Sequence, residues 1–171
     1  NTTSSPFNTP VNITFNIGVF PGLKGASLNF AQDELFVFSF GAPYSNLVQL
    51  IRTSATTFDY VRTIALPAGY YGGPGQLSKD DLTYYFGASN GGGNYQLHQL
   101  TRATPADSFS VATLQQLQNI SDPLVANIQP SMSDSLTWVA FVRNTAGTWG
   151  DNDLYLSYKD NTTSVFDPEN L

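Results

Sequence analysis

Apolar side chains along this chain come in short runs, and no stretch follows the spacing of an amphipathic helix convincingly. The runs are rich in aromatic and branched residues, and clusters of Gly, Pro, Asn, Asp and Ser separate them. Examples are Leu35–Phe40, Leu82–Phe86, Leu97–Leu100, Leu136–Val142 and Leu154–Tyr158. Such runs, bounded by turn-forming residues, are typical of β-strands. The pattern therefore predicts an all-β protein.

One strand pattern occurs three times along the chain. A strand that ends in a basic residue closes each copy, at Leu47–Arg52, Leu97–Arg102 and Leu154–Lys159. An acidic turn and a second strand precede each copy, and a Ser/Thr-rich link leads from it to Phe58, Phe109 or Phe166, which are 51 and 57 residues apart. Phe7 lies another 51 residues before Phe58. Repeats of this length indicate a domain built from copies of one supersecondary unit.

The polarity of successive strands predicts how each unit is packed. The second strand of each unit is almost entirely apolar, whereas the third alternates more and the fourth is the most polar. A continuous apolar run fits a strand that is covered on both faces. A four-stranded unit that is dry inside and wetter outside is what a propeller blade requires, whereas a sandwich would alternate strictly in most strands.

Several segments carry a family resemblance. Ser78–Phe86 resembles the Ser-x-Asp-Gly-x-x-x-x-Phe core of the WD-like β-propeller repeats found in Tol-associated and secreted bacterial proteins. Pro130–Asp134 resembles the Pro-Ser-x-Ser lead-in of that repeat, and Gly150–Tyr155 resembles its Gly-x-x-Asp-Leu-Tyr strand start. Ser5–Ile13 resembles its Phe-x-x-Pro-x-x-Leu tail. At the position of the turn glycine of that repeat, this chain has Glu34, Asp81 and Ser135 in its three units.

Repeat and resemblance together predict one β-propeller-like domain over residues 1–171. It consists of three four-stranded antiparallel blades and one orphan N-terminal strand. The expected boundaries are 1–21 for the orphan outer strand and its link, then 22–67, 68–123 and 124–171 for the blades. The residues expected in the core near the blade interfaces are Phe38, Tyr85, Phe86 and Trp138.

Composition narrows the class of partner. The chain has 171 residues, a net charge of −6 and a pI of about 4.3, so it lacks the basic face that nucleic acids or anionic membranes require. It has no cysteine and no apolar run long enough to insert into a membrane. Low Lys with high Ser, Thr, Asn and Tyr favours an extracellular protein, secreted or on the cell surface, with the periplasm as a further option. The opening segment looks like the start of a processed or excised chain.

The residues offer little catalytic chemistry, and we expect no enzyme and no cofactor. His98 is the only histidine, lies at an ordinary strand position and has no acid near it in sequence, whereas a triad needs one. The acidic pairs Asp33/Glu34 and Asp80/Asp81 could suggest a glycosidase, but they fall at equivalent turns and are first of all turn formers. Asp151 and Asp153 could offer oxygen ligands to a Ca²⁺ ion in a glycine-containing loop.

Loop aromatics and sequons are the candidate surface features. Trp149, Tyr70 and Tyr71 could stack on sugar rings or anchor a protein partner, and the alternative for the tyrosines is packing over the central axis. Four Asn-x-Ser/Thr sequons are candidate glycosylation sites, at Asn1, Asn12, Asn119 and Asn161.

The blade count predicts assembly. Propellers close with about 4–8 blades, so three blades should leave open ends that expose apolar faces such as those of Val37 and Trp138. The orphan strand at 7–13 is the expected donor to another chain, through Phe7, Pro10, Val11 and Ile13. We therefore predict a non-enzymatic extracellular or cell-surface binding and assembly module whose partner is a copy of itself. The alternatives are a lectin that binds glycans through loop aromatics, and a fragment of a larger propeller receptor or hydrolase.

Overall fold

The computed structural model describes residues 11–18, 20, 22–41, 44–91, 93–120, 122, 124–144, 152–159 and 166, with main chain alone at 41 and 44. The regular secondary structure in these residues consists of twelve strands and no helix, so no described helix could cross a membrane. The strands are β1 (Thr14–Asn16), β2 (Leu23–Leu28), β3 (Glu34–Gly41), β4 (Tyr44–Arg52), β5 (Thr57–Ala65), β6 (Tyr71–Leu77), β7 (Thr83–Ser89), β8 (Gln96–Thr101), β9 (Ser110–Gln116), β10 (Ala126–Met132), β11 (Trp138–Asn144) and β12 (Asp153–Tyr158). The all-β prediction is confirmed.

The strands form three sheets in chain order. Sheet I has the order β1-β5-β4-β3-β2, sheet II the order β6-β7-β8-β9, and sheet III the order β10-β11-β12. Neighbouring strands are antiparallel except β1, which pairs with β5 in parallel. The fourth strand expected for sheet III falls at the end of the chain, where Phe166 alone is described; its side chain is buried.

The repeat in the sequence corresponds to a repeated contact. The cationic group that closes each third strand lies over the phenylalanine of the same unit, 5.0 Å from the ring centre for Arg52 and Phe58, 4.9 Å for Arg102 and Phe109, and 5.0 Å for Lys159 and Phe166. A cation at this distance from an aromatic face is attracted by the ring quadrupole. This contact explains why a basic residue and a phenylalanine recur at matching positions.

The turn between the first two strands of each unit also repeats. A side-chain oxygen of Asn29, Ser78 or Ser133 accepts main-chain N–H groups at the start of the next strand, at 2.9, 2.9 and 3.0 Å. The residue three positions later is left-handed in every copy, with φ of 61° at Gln32, 61° at Asp81 and 57° at Leu136. The turn glycine of the resembling repeat is therefore replaced by Gln32, Asp81 and Leu136. The alignment with Glu34 and Ser135 was wrong.

We expect Gln32→Gly to raise the free energy of unfolding by about 1 kcal/mol, because an L-residue pays for a left-handed backbone that glycine adopts freely. Gln32 is exposed, so no packing is lost. Urea unfolding measures the gain, and Gln32→Ala is the control because it keeps the strain. A glycine variant no more stable than the alanine variant would contradict the turn geometry.

The three sheets pack face to face in chain order, with their first strands β2, β6 and β10 adjacent. Side chains at alternate positions of β3, such as Phe36 and Phe38, meet Tyr84 and Phe86 of β7 in a buried cluster between sheets I and II. The opposite side of sheet II contributes Tyr85, Leu97 and Leu117 to a second cluster with Val139 and Phe141 of sheet III. We call the face of a sheet that points toward the preceding unit its leading face, and the other its trailing face.

The leading face of sheet I is covered, which corrects the expectation that Val37 lies on an open end. Val37 is buried in a third cluster with Leu35, Val48, Leu50 and Phe58, and Phe15, Ile17, Phe20 and Leu23 pack against this cluster. The strand β1, which follows the expected donor segment directly, adds to sheet I of its own chain. The N-terminal segment therefore supplies cover that a preceding sheet would otherwise provide.

Trp138 does not lie in the core, contrary to prediction. Its side chain is 39% exposed, whereas its neighbour Val139 is buried and faces sheet II. Side chains alternate between the two faces of a strand, so a shift of one residue exchanges the faces. The turn hydrogen bonds align Trp138 with Glu34 and Thr83 at the start of the strand. The strand thus begins two positions after Leu136, where the sequence pattern placed its start. The predicted core residues Phe38, Tyr85 and Phe86 are buried.

Candidate binding surfaces

The structure separates the two tyrosines that were proposed as ligand contacts. The ring of Tyr70 packs edge-on against His98 at 5.9 Å and borders the cluster between sheets I and II. Tyr71 is the first residue of β6 and is exposed. Trp149, the third residue of this prediction, lies outside the described residues.

His98 has the contacts of a core side chain. It is buried on β8, its Nδ1 lies 2.9 Å from the carbonyl oxygen of Gln96, and its ring lies 6.1 Å from that of Phe86. Burial lowers the pKa of His98, because the charged imidazolium loses its hydration. Burial among these rings therefore favours the neutral imidazole over the imidazolium.

The other predicted site residues are only partly described. Asp153 is half-buried at the start of β12, opposite Arg143, while Asp151 lies outside the described residues. In the described ranges, no three acidic or histidine side chains come together as a metal site would need. Val11, Ile13, Asn12 and Asn119 are exposed. Phe7, Pro10, Asn1 and Asn161 fall outside the description.

The turns of all three sheets converge on one cleft of mixed polar and apolar lining, which the sequence did not reveal. This turn cleft has a volume of about 390 Å³ and is lined by Leu28, Asn29, Phe30, Gln32, Gln76, Leu77, Ser78, Lys79, Met132, Ser133 and Asp134. The volume lies within the usual range of about 300–1,000 Å³ for small-molecule sites. The lining residues form three groups that are about fifty positions apart in sequence and occupy equivalent turns. This equivalence is the signal that could have revealed the cleft.

The turn cleft combines an exposed aromatic ring with both signs of charge. Phe30 is 74% exposed, and the ammonium group of Lys79 lies 5.7 Å from its ring centre. Lys79 also forms an exposed ion pair with Asp134 of the next turn at 2.7 Å. Asp81 accepts a hydrogen bond from the Phe30 N–H at 3.3 Å, and burial raises the pKa of the Asp81 carboxyl. The cleft therefore offers a stacking surface beside hydrogen-bonding groups.

The trailing face of sheet III is apolar, and the described residues cover it only in part. It carries Trp138, Ala140 and Val142 of β11 and, in register with them, Tyr158, Leu156 and Leu154 of β12. Leu154 is 63% exposed, and Trp138 contacts Tyr158 with ring centres 4.7 Å apart. Within the described part of the chain, none of the three buried clusters includes a residue of this face.

A buried ion pair joins sheets I and II. The Arg102 side chain has no exposed surface, and its Nη2 donates to Glu34 Oε2 at 2.8 Å across the boundary. Arg102 Nε donates to the Asp81 carbonyl at 2.6 Å, and Gln49 Nε2 donates to the Glu34 carboxylate at 2.6 Å. Each charge of the pair therefore compensates the other for the hydration that both lose at the boundary between sheets I and II.

Solved structures resemble this fold. No family model and no curated protein matches the chain. TolB from Acinetobacter baumannii, a β-propeller-containing protein, matches with a TM-score of 0.56 and 14% identity, over 89% of this chain and 34% of that one. A putative 6-phosphogluconolactonase from Bacteroides uniformis matches with a TM-score of 0.52 and 7% identity, over 85% of this chain and 39% of that one. This chain thus spans little more than a third of either, and the likeness concerns fold alone.

Proposed function

We propose that this chain is a non-enzymatic, propeller-type binding and assembly module that works outside the cytoplasm and associates through the trailing face of sheet III. In this proposal each sheet is a blade, and the face carrying Trp138 and Leu154 is the association surface. The single observation that carries the proposal is that, among the described residues, no buried cluster covers this apolar face. Contiguous apolar surface on a soluble protein usually marks an interaction site.

The geometry favours a second copy as the occupant. The trailing faces of sheets I and II are each covered by the next sheet. In this architecture, the partner that covers the trailing face of sheet III should therefore itself present the face of a sheet. The leading face of sheet I is already covered by Phe15, Ile17 and Phe20, which argues against head-to-tail stacking. Two copies can instead bury the same face against each other in an isologous dimer. Further sheets of a longer protein would be the alternative occupant.

We expect Leu154→Glu to weaken association by roughly 100-fold or more, since about 1.4 kcal/mol is tenfold in Kd and a buried unpaired charge costs several kcal/mol. Leu154 is exposed, so the monomer should fold normally. Sedimentation velocity should show wild-type particles heavier than the 18.6 kDa chain at tens of micromolar, and variant particles of 18.6 kDa.

The matched control for this experiment is Val11→Glu, which places the same charge at an equally exposed apolar residue of the N-terminal segment. We expect it to associate like the wild type. If Val11→Glu separates the copies and Leu154→Glu does not, the N-terminal segment is the association surface. A wild-type chain that stays at 18.6 kDa throughout contradicts self-association.

A lectin function is the second candidate, and the turn cleft is the feature that supports it. Phe30 presents an exposed ring beside Gln32 and the Lys79–Asp134 pair, which together can stack on a sugar and bond its hydroxyl groups. We expect Phe30→Ala to abolish any binding to a glycan array, with Trp149→Ala as the comparison. Loss in the Trp149 variant alone would move the glycan site to that loop, and absence of any glycan binding would remove the lectin alternative.

A further inference from the structure

Arg52 and Arg102 occupy equivalent places in two successive sheets. Each closes the third strand of its unit, and the main-chain N–H groups donate to the carbonyls of Asp33 at 2.7 Å and Leu82 at 3.0 Å. Each guanidinium lies over the ring of its phenylalanine, with its central carbon 5.0 Å from the ring centre for Arg52 and 4.9 Å for Arg102. The two side chains are therefore built into the same local frame.

The two arginines differ in the group that faces the guanidinium from the leading side of the sheet. Arg102 receives the carboxylate of Glu34 from sheet I. For Arg52, by contrast, no ion pair is found among the described residues, and its buried Nε also lacks a partner such as the Asp81 carbonyl that accepts from Arg102 Nε. A buried donor left unpaired costs free energy. The leading side of Arg52 therefore lacks the anion that the molecule places at the equivalent point one sheet later.

A pocket that Arg52 helps to line lies on the leading face of sheet I. It has a volume of about 220 Å³ and is lined by Arg52 together with the apolar side chains Ile13, Phe15, Ala26, Leu28, Leu35 and Phe58. This is smaller than the roughly 300–1,000 Å³ of sites for drug-sized ligands. Phe15, which comes from the N-terminal segment that covers sheet I, forms one wall. The pocket thus has room for a small ligand, while the N-terminal segment occupies the place where a whole sheet would pack.

We propose that this pocket binds a small monocarboxylic acid with an apolar body. The carboxylate pairs with the Arg52 guanidinium and occupies the place that the Glu34 carboxylate takes at Arg102. The apolar body lies among Phe15, Leu35 and Phe58 and leaves water. Charge-assisted hydrogen bonds to a guanidinium are the strong class of hydrogen bond, and the apolar walls strengthen them by lowering the local dielectric. This site lies on the opposite end of the molecule from the trailing face of sheet III and is independent of the proposed assembly.

The test uses 3-phenylpropionate as the probe and nuclear magnetic resonance of the arginine side-chain Nε–H groups as the readout. We expect a saturable shift of the Arg52 Nε–H signal, with no comparable shift at Arg102. The neutral 3-phenylpropanamide tests the need for charge, and acetate tests the need for an apolar body. Both should bind at least tenfold more weakly than the acid.

Two variants locate the site. Arg52→Gln should abolish binding of the acid, and Arg62→Gln on the neighbouring strand of the same sheet is the control that should retain it. Ala26→Phe fills the pocket from its exposed rim and should also abolish binding, with Arg52 intact and the fold undisturbed. Binding that survives Ala26→Phe, or equal binding of the acid and the amide, overturns the proposal. Absence of any shift at Arg52 with millimolar acid overturns it as well.

Discussion

Arg102→Met is expected to lower the free energy of unfolding by about 3–5 kcal/mol, the usual cost of removing one partner from a buried ion pair. The variant leaves the Glu34 carboxylate at the sheet boundary with the Gln49 amide as its remaining partner. It also strips the Asp81 and Asp107 carbonyls of the donors that Arg102 supplies. Urea denaturation at neutral pH measures the loss, which is a large part of the roughly 5–15 kcal/mol that stabilises a typical domain.

Arg52→Met is the matched control, because Arg52 has the equivalent stacking contact without a carboxylate. We expect it to cost about 1 kcal/mol, the order of one cation–π contact. Equal losses in the two variants would show that the ring contact matters and the ion pair does not, which contradicts the role assigned to the Arg102–Glu34 pair.

Phe141→Ala should destabilise the fold by about 3–5 kcal/mol, whereas Trp138→Ala on the same strand should cost only about 1 kcal/mol. Phe141 is 2% exposed and faces sheet II, while Trp138 points to the trailing side and contacts Tyr158. Both variants are best measured in the Leu154→Glu background, so that association does not contribute to the apparent stability.

This pair of variants tests the register of the third unit. If Trp138→Ala proves the more damaging of the two, the faces of β11 are the reverse of those described. Sheet III would then present Phe141 outward, and the association surface would have to be sought elsewhere.

The strands and the repeat could be predicted from sequence because they rest on local signals. Apolar runs bounded by turn residues marked β3, β7, β8, β11 and β12, and the recurrence of Arg52 and Arg102 before Phe58 and Phe109 reflected a contact within one unit. Such contacts join residues less than ten positions apart, so their spacing is visible in the chain itself.

The faces of the third unit and the cover on sheet I could not be predicted in the same way. Leu136 matches the leucines that begin the apolar runs of the other two units, and this match suggested the wrong register for Trp138. The register is set by the turn side chain of Ser133, which its residue type alone does not distinguish. Parallel addition of β1 to β5 joins residues more than forty positions apart and leaves no periodic signal. The turn cleft likewise arises only when separate units are brought together, and the pocket at Arg52 arises only when the N-terminal segment packs on sheet I.

Hydroxyl-radical footprinting of the unmodified chain over a range of concentrations tests the central claim most directly, because it reports which side chains association buries. The account predicts that oxidation of Trp138, Leu154 and Tyr158 falls as concentration rises, while Phe30 in the turn cleft keeps its rate. Unchanged oxidation of Trp138 and Leu154 at concentrations where the chain has associated, with protection at Val11 or Phe30 instead, would contradict it.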